Sequence, residues 1–152
     1  MANCPNPYHV HPELFAPLID FGKQAQSWLE PSLVELVKLR ASQINGCAPC
    51  ITLHSREARA KGESEDRIYL LNAWRESELY TPRERAALAW TEALTRIAQG
   101  HPNETVDEMV DEQFTYEERI KLAMMIVAIN SFNRLNIGFR LPDTVVRNVK
   151  AA

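Results

Sequence analysis

The sequence predicts an all-α fold, a single helical domain of about six to seven helices, and three observations carry that expectation. Apolar residues recur at three- and four-residue spacing along most of the chain, and no run alternates as a half-buried strand would. Two capping boxes, Thr81-Pro82-Arg83-Glu84 and Thr115-Tyr116-Glu117-Glu118, stand where long periodic segments begin. At 152 residues the chain is long enough to close one hydrophobic core. Residues 1–12 hold three prolines and are expected to be an extended N-terminal segment, leaving 13–152 as the helical domain.

The elements follow in order. A first helix is expected over 13–28, ending near Glu30-Pro31. Pro31 suits the first turn of a second helix, 32–44, because the N–H it lacks has no intrahelical partner there; Asn45-Gly46 stops it. The third helix starts at or near Cys47 and ends at Lys61-Gly62, a glycine able to take the left-handed conformation that closes a helix. Ser64-Glu65-Asp66 opens a fourth, reaching Ser77, with acids at the positive end of its dipole. The first capping box leads a helix to Ala98, and a short acidic helix covers 104–112. The second box starts the last long helix, which runs to Arg134 or beyond.

Bulk properties exclude some functions. A net charge of -3 is the wrong sign for the basic footprint that nucleic acid requires. The longest apolar run, LAMMIVAI over 122–129, is far too short to span a bilayer. The first residues, MANCPNPYHVHPELF, carry neither a basic leader nor an apolar signal core, so a cytoplasmic location is expected. A reducing compartment disfavours permanent disulfides, and a close cysteine pair there reads as catalytic or metal-binding. Cys4, in the proline-rich start, reads as a free surface thiol.

The stretch NGCAPCITLHSREARAKG, 45–62, raises that question directly. At about 100° per residue from Cys47, Cys50 falls at about 300° and His54 at about 340°, with Arg56 and Arg59 on the far side. Both thiols and the imidazole therefore share the inward stripe. The first turn of a helix offers unpaired N–H groups and the positive end of the dipole, which favour a thiolate. Spacing of i, i+3 brings the two Cα atoms within about 5–6 Å, inside the range a disulfide accepts. A structural zinc site needs four ligands and this segment offers three at best, so neither metal nor cofactor is expected. His9, His11 and His101 lie in proline-flanked loops without a second CxxC. Outside the motif, Trp28, Trp74, Trp90 and Phe132 read as core or subunit-contact aromatics, and Met124-Met125 as packing. Asn130, Asn133, Arg134 and Asn136 read as groups that fix helix ends or contacts, with no catalytic role.

Glu35, twelve positions before Cys47, then Cys47-Ala48-Pro49-Cys50 and His54, resembles the E-x11-C-x2-C-x3-H core of alkylhydroperoxidase D, in the carboxymuconolactone decarboxylase-like superfamily. TPRERAALAWTEALT (81–95) and AINSFNRLNIGFR (128–140) are similar to two further blocks of that family, so the likeness spans about residues 14–141. The resemblance implies an AhpD-like helical thiol peroxidase with Glu35, Cys47, Cys50 and His54 as catalytic residues. Its substrate would be a hydroperoxide and its reductant a dithiol or thiol protein, in a homo-oligomer with a hexamer favoured over a trimer. Some members carry a histidine between the cysteines where this chain has Pro49.

Periodicity alone places Glu35 in the polar sector of its helix with Lys38 and Ser42, as a surface carboxylate. Only the resemblance moves it into the site. Cys50, one turn from His54, is favoured as the attacking sulfur and Cys47 as the resolving, donor-facing one. The reverse order stays open, because the first cysteine of such a pair is often the more acidic. Three other readings stay open: a dithiol oxidoreductase without peroxidase duty, a decarboxylase-like acid–base enzyme using His54 and Glu35, and a helical binding subunit with inert thiols.

Overall fold

The structure, a computed structural model, describes residues 5–144; Cys4 lies outside them. Among the described residues eight α-helices follow one another and no strand occurs. They are α1 (Pro7–Val10), α2 (Pro12–Ser27), α3 (Pro31–Asn45), α4 (Ala48–Ala60), α5 (Glu65–Leu70), α6 (Pro82–Thr95), α7 (Glu104–Gln113) and α8 (Tyr116–Gly138), with 3-10 turns at Leu71–Ala73 and Ile97–Gln99. None of these helices is long and apolar enough to cross a membrane.

Both predicted capping boxes form, the threonine side chain accepting from the N3 amide and the N3 glutamate accepting from the cap amide. Gly62, at φ 96°, closes α4 with Glu63 N–H donating to Ala58 and Gly62 N–H to Arg59, the pairing that satisfies the last carbonyls of a helix.

Two expectations are corrected. The N-terminal segment is not extended throughout: Asn6 caps a single turn, accepting from Tyr8 N–H, with Pro7 at the first helical position. The Tyr8 ring packs on Phe15 at 4.4 Å between centroids, and this contact with α2 holds the turn down. The fourth helix stops at Leu70 rather than Ser77. The Arg85 guanidinium donates to the carbonyls of Trp74, Arg75 and Ser77, so a side chain satisfies groups that a continued helix would have used.

Helix α3 lies at the centre, packed on α4, α6 and α8. Every residue from Leu33 to Ser42 is buried, including Glu35, Lys38 and Arg40. A helix buried all round must pair its charges internally. Arg40 does so with Glu92, which also accepts from the Trp74 indole. On one side of α3, Val34, Val37 and Ala41 join a cluster with Trp90, Phe114, Leu122 and Ile126; on the other, Leu36 and Leu39 join Ala58, Leu71, Trp74 and Leu88. Trp74, Trp90 and Met125 are thus core, as expected, while Trp28 and Met124 are exposed.

Candidate active site

The α3–α4 corner sets the site. Gly46 takes φ 69°, which lets Cys47 N–H reach back to the Ser42 carbonyl at 3.0 Å. Asn45 Nδ2 donates to Asn130 and Asn133, each at 2.9 Å, and Asn133 donates to Ser42 Oγ at 3.1 Å, pinning the corner to α8. Asn130 and Asn133 therefore fix a helix end, as read from sequence. Cys47 becomes the N-cap of α4 and Cys50 its third residue, both where the helix dipole favours negative charge.

The two sulfurs form a disulfide, with the Cα atoms 5.3 Å apart. Their surroundings differ. Cys50 lines a cavity of about 460 Å³, whereas Cys47 is fully buried and does not reach it. Access to the pair from the cavity therefore comes through Cys50. The cavity walls are largely apolar, built from Ile19, Leu53, Met125, Ile129 and Phe132, and Tyr8 also lines it.

His54, on the same face of α4 and also lining the cavity, sits within a compact charge cluster. Its Nδ1 is 2.9 Å from Glu57 Oε2 and 3.8 Å from Glu35 Oε2. Lys38 Nζ joins Glu35 at 2.9 Å and Glu57 at 3.1 Å, and Lys61 Nζ reaches Glu35 at 2.5 Å. Burial pushes the His54 imidazole below its ordinary value, against the opposing pull of Glu57. Burial alone would raise Glu57, but its hydrogen bond to His54 and the charge of Lys38 win and hold it at about 2. An ionised Glu57 can only accept, so Nδ1 carries the proton and Nε2 keeps a free lone pair.

All four residues read from the motif are brought to one corner of the fold. Glu35 is no surface carboxylate: it is 0% exposed, and its Oε2 has no hydrogen-bond partner. Periodicity misplaced it because α3 has no solvent face. Sequence reasoning missed Glu57, Lys61 and Asn136, and placed the buried Lys38 in a polar sector. Glu57 was findable, being three residues beyond His54 on one helix face. Asn136, whose Nδ2 lies 3.3 Å from Cys50 Sγ, gave no local signal. Glu35, His54 and Glu57 bring ligand-type atoms within 4.8 Å of one another. Lys38 and Lys61 already pair with those carboxylates, which leaves little net negative charge to hold a cation.

The site is thus a cysteine pair at a helix start beside a buried histidine–carboxylate cluster, in an all-helical domain. Residues 12–93 match the carboxymuconolactone decarboxylase family. The chain belongs to that family and is AhpD-like. It is 40% identical to YdfG of Bacillus subtilis, itself uncharacterized, over 86% of this chain and 90% of that one. A crystal structure from Agrobacterium tumefaciens, of a protein of unknown function proposed as an AhpD antioxidant defence protein, superposes with a TM-score of 0.88 at 41% identity, covering 91% of this chain and 96% of that one. The debrominase Bmp8, with 2,3,4-tribromopyrrole bound, shares the fold at a TM-score of 0.77 and 20% identity, over 85% and 70% of the two chains.

Proposed function

We propose that the protein is a thiol-dependent hydroperoxide reductase that cycles the Cys47–Cys50 pair between dithiol and disulfide. The observation that carries this reading is the disulfide at the start of α4 with one sulfur, Cys50, on a cavity that His54 also lines.

In the reduced protein, neutral His54 takes the Cys50 thiol proton, directly or through water in the cavity. The thiolate attacks the terminal oxygen of ROOH and the O–O bond breaks, leaving Cys50 sulfenic acid and an alkoxide. Protonated His54 returns its proton to the alkoxide, giving ROH. The Cys47 thiol then condenses with the sulfenic acid, forming the disulfide and releasing water. Two thiols of an external dithiol restore the pair by exchange and leave as a disulfide. Glu57 holds the imidazole tautomer, and Glu35 with Lys38 and Lys61 sets the field around it.

Consumption of organic hydroperoxide by the reduced protein with a dithiol donor, run beside the double variant Cys47→Ser/Cys50→Ser, tests this. Turnover lost in the double variant is expected. Turnover retained there would refute the dithiol cycle. Disulfide exchange without peroxide consumption would leave a dithiol oxidoreductase.

We also propose a homo-oligomer, hexamer before trimer. Ile120, Met124 and Val127 form an exposed stripe on α8 at helical spacing, which supports burial against another copy. The mass by light scattering tests it; a monomer at micromolar concentration would refute it.

A further inference from the structure

We propose that Asn136 is a catalytic residue acting on Cys50 and that Tyr8 is its positioning residue: the Asn136 amide donates to Cys50 Sγ, and the Tyr8 hydroxyl holds that amide in the donating orientation. The inference rests on the redox reading for the reactivity of Cys50 and goes beyond it, since neither residue belongs to the Glu–Cys–Cys–His motif.

Asn136 sits in the last turns of α8, its carbonyl accepting from Leu141 N–H at 2.9 Å. Its Nδ2 is 3.3 Å from Cys50 Sγ and its Oδ1 is 3.0 Å from the Tyr8 hydroxyl. A primary amide can present either end to a sulfur. In the structure the phenol O–H donates to Oδ1 and the NH₂ faces Cys50, and the two contacts are mutually consistent. Burial raises the Tyr8 pKa, so the hydroxyl remains a donor at neutral pH. Tyr8 is itself fixed by the Asn6 cap at its backbone and by Phe15 against its ring.

A disulfide sulfur is a weak acceptor and a thiolate a strong one. The N–H therefore contributes little while the pair is oxidised and most when Cys50 carries charge, which is when help is needed. The N-terminus of α4 favours an anion at Cys47 and Cys50 alike. Asn136 serves Cys50, and so makes that sulfur the more acidic of the two. The other charged or titratable groups on the cavity are Tyr8 and His9 of α1, Lys23 of α2, Lys38 of α3, and His54 and Glu57 of α4. All of them are left in place when Asn136 alone is changed.

The test is the pH dependence of Cys50 alkylation by iodoacetamide in the reduced protein, read on the Cys50 peptide by mass. Asn136→Leu is expected to raise the alkylation midpoint by about one to two pH units, the size of a hydrogen bond to a charged group. The near-isosteric Asn136→Asp, which replaces the donor by an anion, should raise it at least as far, and keeps the test open if the leucine variant does not fold. Tyr8→Phe should shift the midpoint in the same direction by less. A midpoint unchanged in a folded Asn136 variant overturns the proposal, even if that variant melts earlier. A shift in Asn136→Leu with none in Tyr8→Phe overturns the role of Tyr8. The readout needs no peroxide: if the wild type consumes none while these shifts appear, the peroxidase reading fails and this one stands.

Discussion

His54 Nδ1 donates to Glu57 Oε2 at 2.9 Å, while Glu35 Oε2 stands at 3.8 Å. The carboxylate that orients the imidazole thus lies on the histidine's own helix, and the more distant one belongs to a buried ion cluster. The two acids have separable consequences.

Replacing the imidazole removes the proposed proton carrier. His54→Ala should lower peroxide turnover at neutral pH by about 10²–10⁴-fold, the usual worth of a general acid–base group, with helical circular dichroism intact. Glu57→Gln keeps an acceptor for Nδ1 but not the charge, and should lose about tenfold. Initial rates with a saturating dithiol decide it; an unchanged rate in His54→Ala would remove His54 from the proton route.

Stability should fall on acidification in two windows. The folded-state pKa of His54 is pushed below 6.5 by burial, so the unfolded chain takes up the proton first. Its contribution is complete above about pH 6.5 and is lost as pH falls toward the folded value. Glu57, held at about 2 against the ordinary 4.5 of a glutamate, contributes in full above 4.5, and that contribution is lost as pH falls toward 2. Urea melts from pH 8 to 3 should show both losses. In His54→Gln the upper one should vanish, and an unaltered profile in that variant would refute the assignment.

Glu35 is wholly buried and holds two lysines, one of them, Lys38, buried as well. Glu35→Ala strips Lys38 of its nearest anion and should cost about 3 kcal/mol, toward the low end for a broken buried pair because Glu57 remains. Glu35→Leu combined with Lys38→Met should recover most of that loss. A single-variant cost under about 0.5 kcal/mol, the range of ordinary surface changes, would mean that the cluster is not load-sharing in this way.

Gly22, on α2, faces the Phe132 ring across the cavity wall. A Cβ there would lie 2.8 Å from Phe132 Cε2, so the ring must move, and the adjoining free space is the cavity. Gly22→Ala should cost about 1–3 kcal/mol and shrink the site. The KM for cumene hydroperoxide should rise several-fold while that for hydrogen peroxide holds. Equal effects on both would show that Phe132 does not shape the pocket.

Much of the fold was legible because its signals are local. The capping boxes at Thr81 and Thr115, Pro31 at a helix start, and the glycine stops at Gly46 and Gly62 each act within a turn of the backbone. The end of α5 was not legible, because what breaks it is Arg85, arriving from α6. The site divides in the same way. Cys47, Cys50 and His54 share one helix, and their spacing exposed them. Glu35 was hidden by pattern, since a helix enclosed on every side has no polar face to read. Asn136 reaches Cys50 across 86 positions of sequence, a meeting that only the packing of α8 against α4 creates.

The asymmetry of the two sulfurs leads to the order of attack. Cys50 meets the cavity and receives the Asn136 amide, whereas Cys47 is enclosed at the N-cap with no access to that space. A hydroperoxide entering from the cavity therefore reaches Cys50 first, and Cys47 can act only on what forms there. In Cys47→Ser the sulfenic acid at Cys50 has no resolving thiol, so dimedone should label Cys50 after one equivalent of peroxide. Cys50→Ser should give no dimedone adduct and negligible turnover. In the wild type the adduct should be scarce, because condensation to the disulfide outruns trapping. A dimedone adduct found solely on Cys47, in the Cys50→Ser protein, would reverse the assignment and require Cys47 to be uncovered before peroxide arrives.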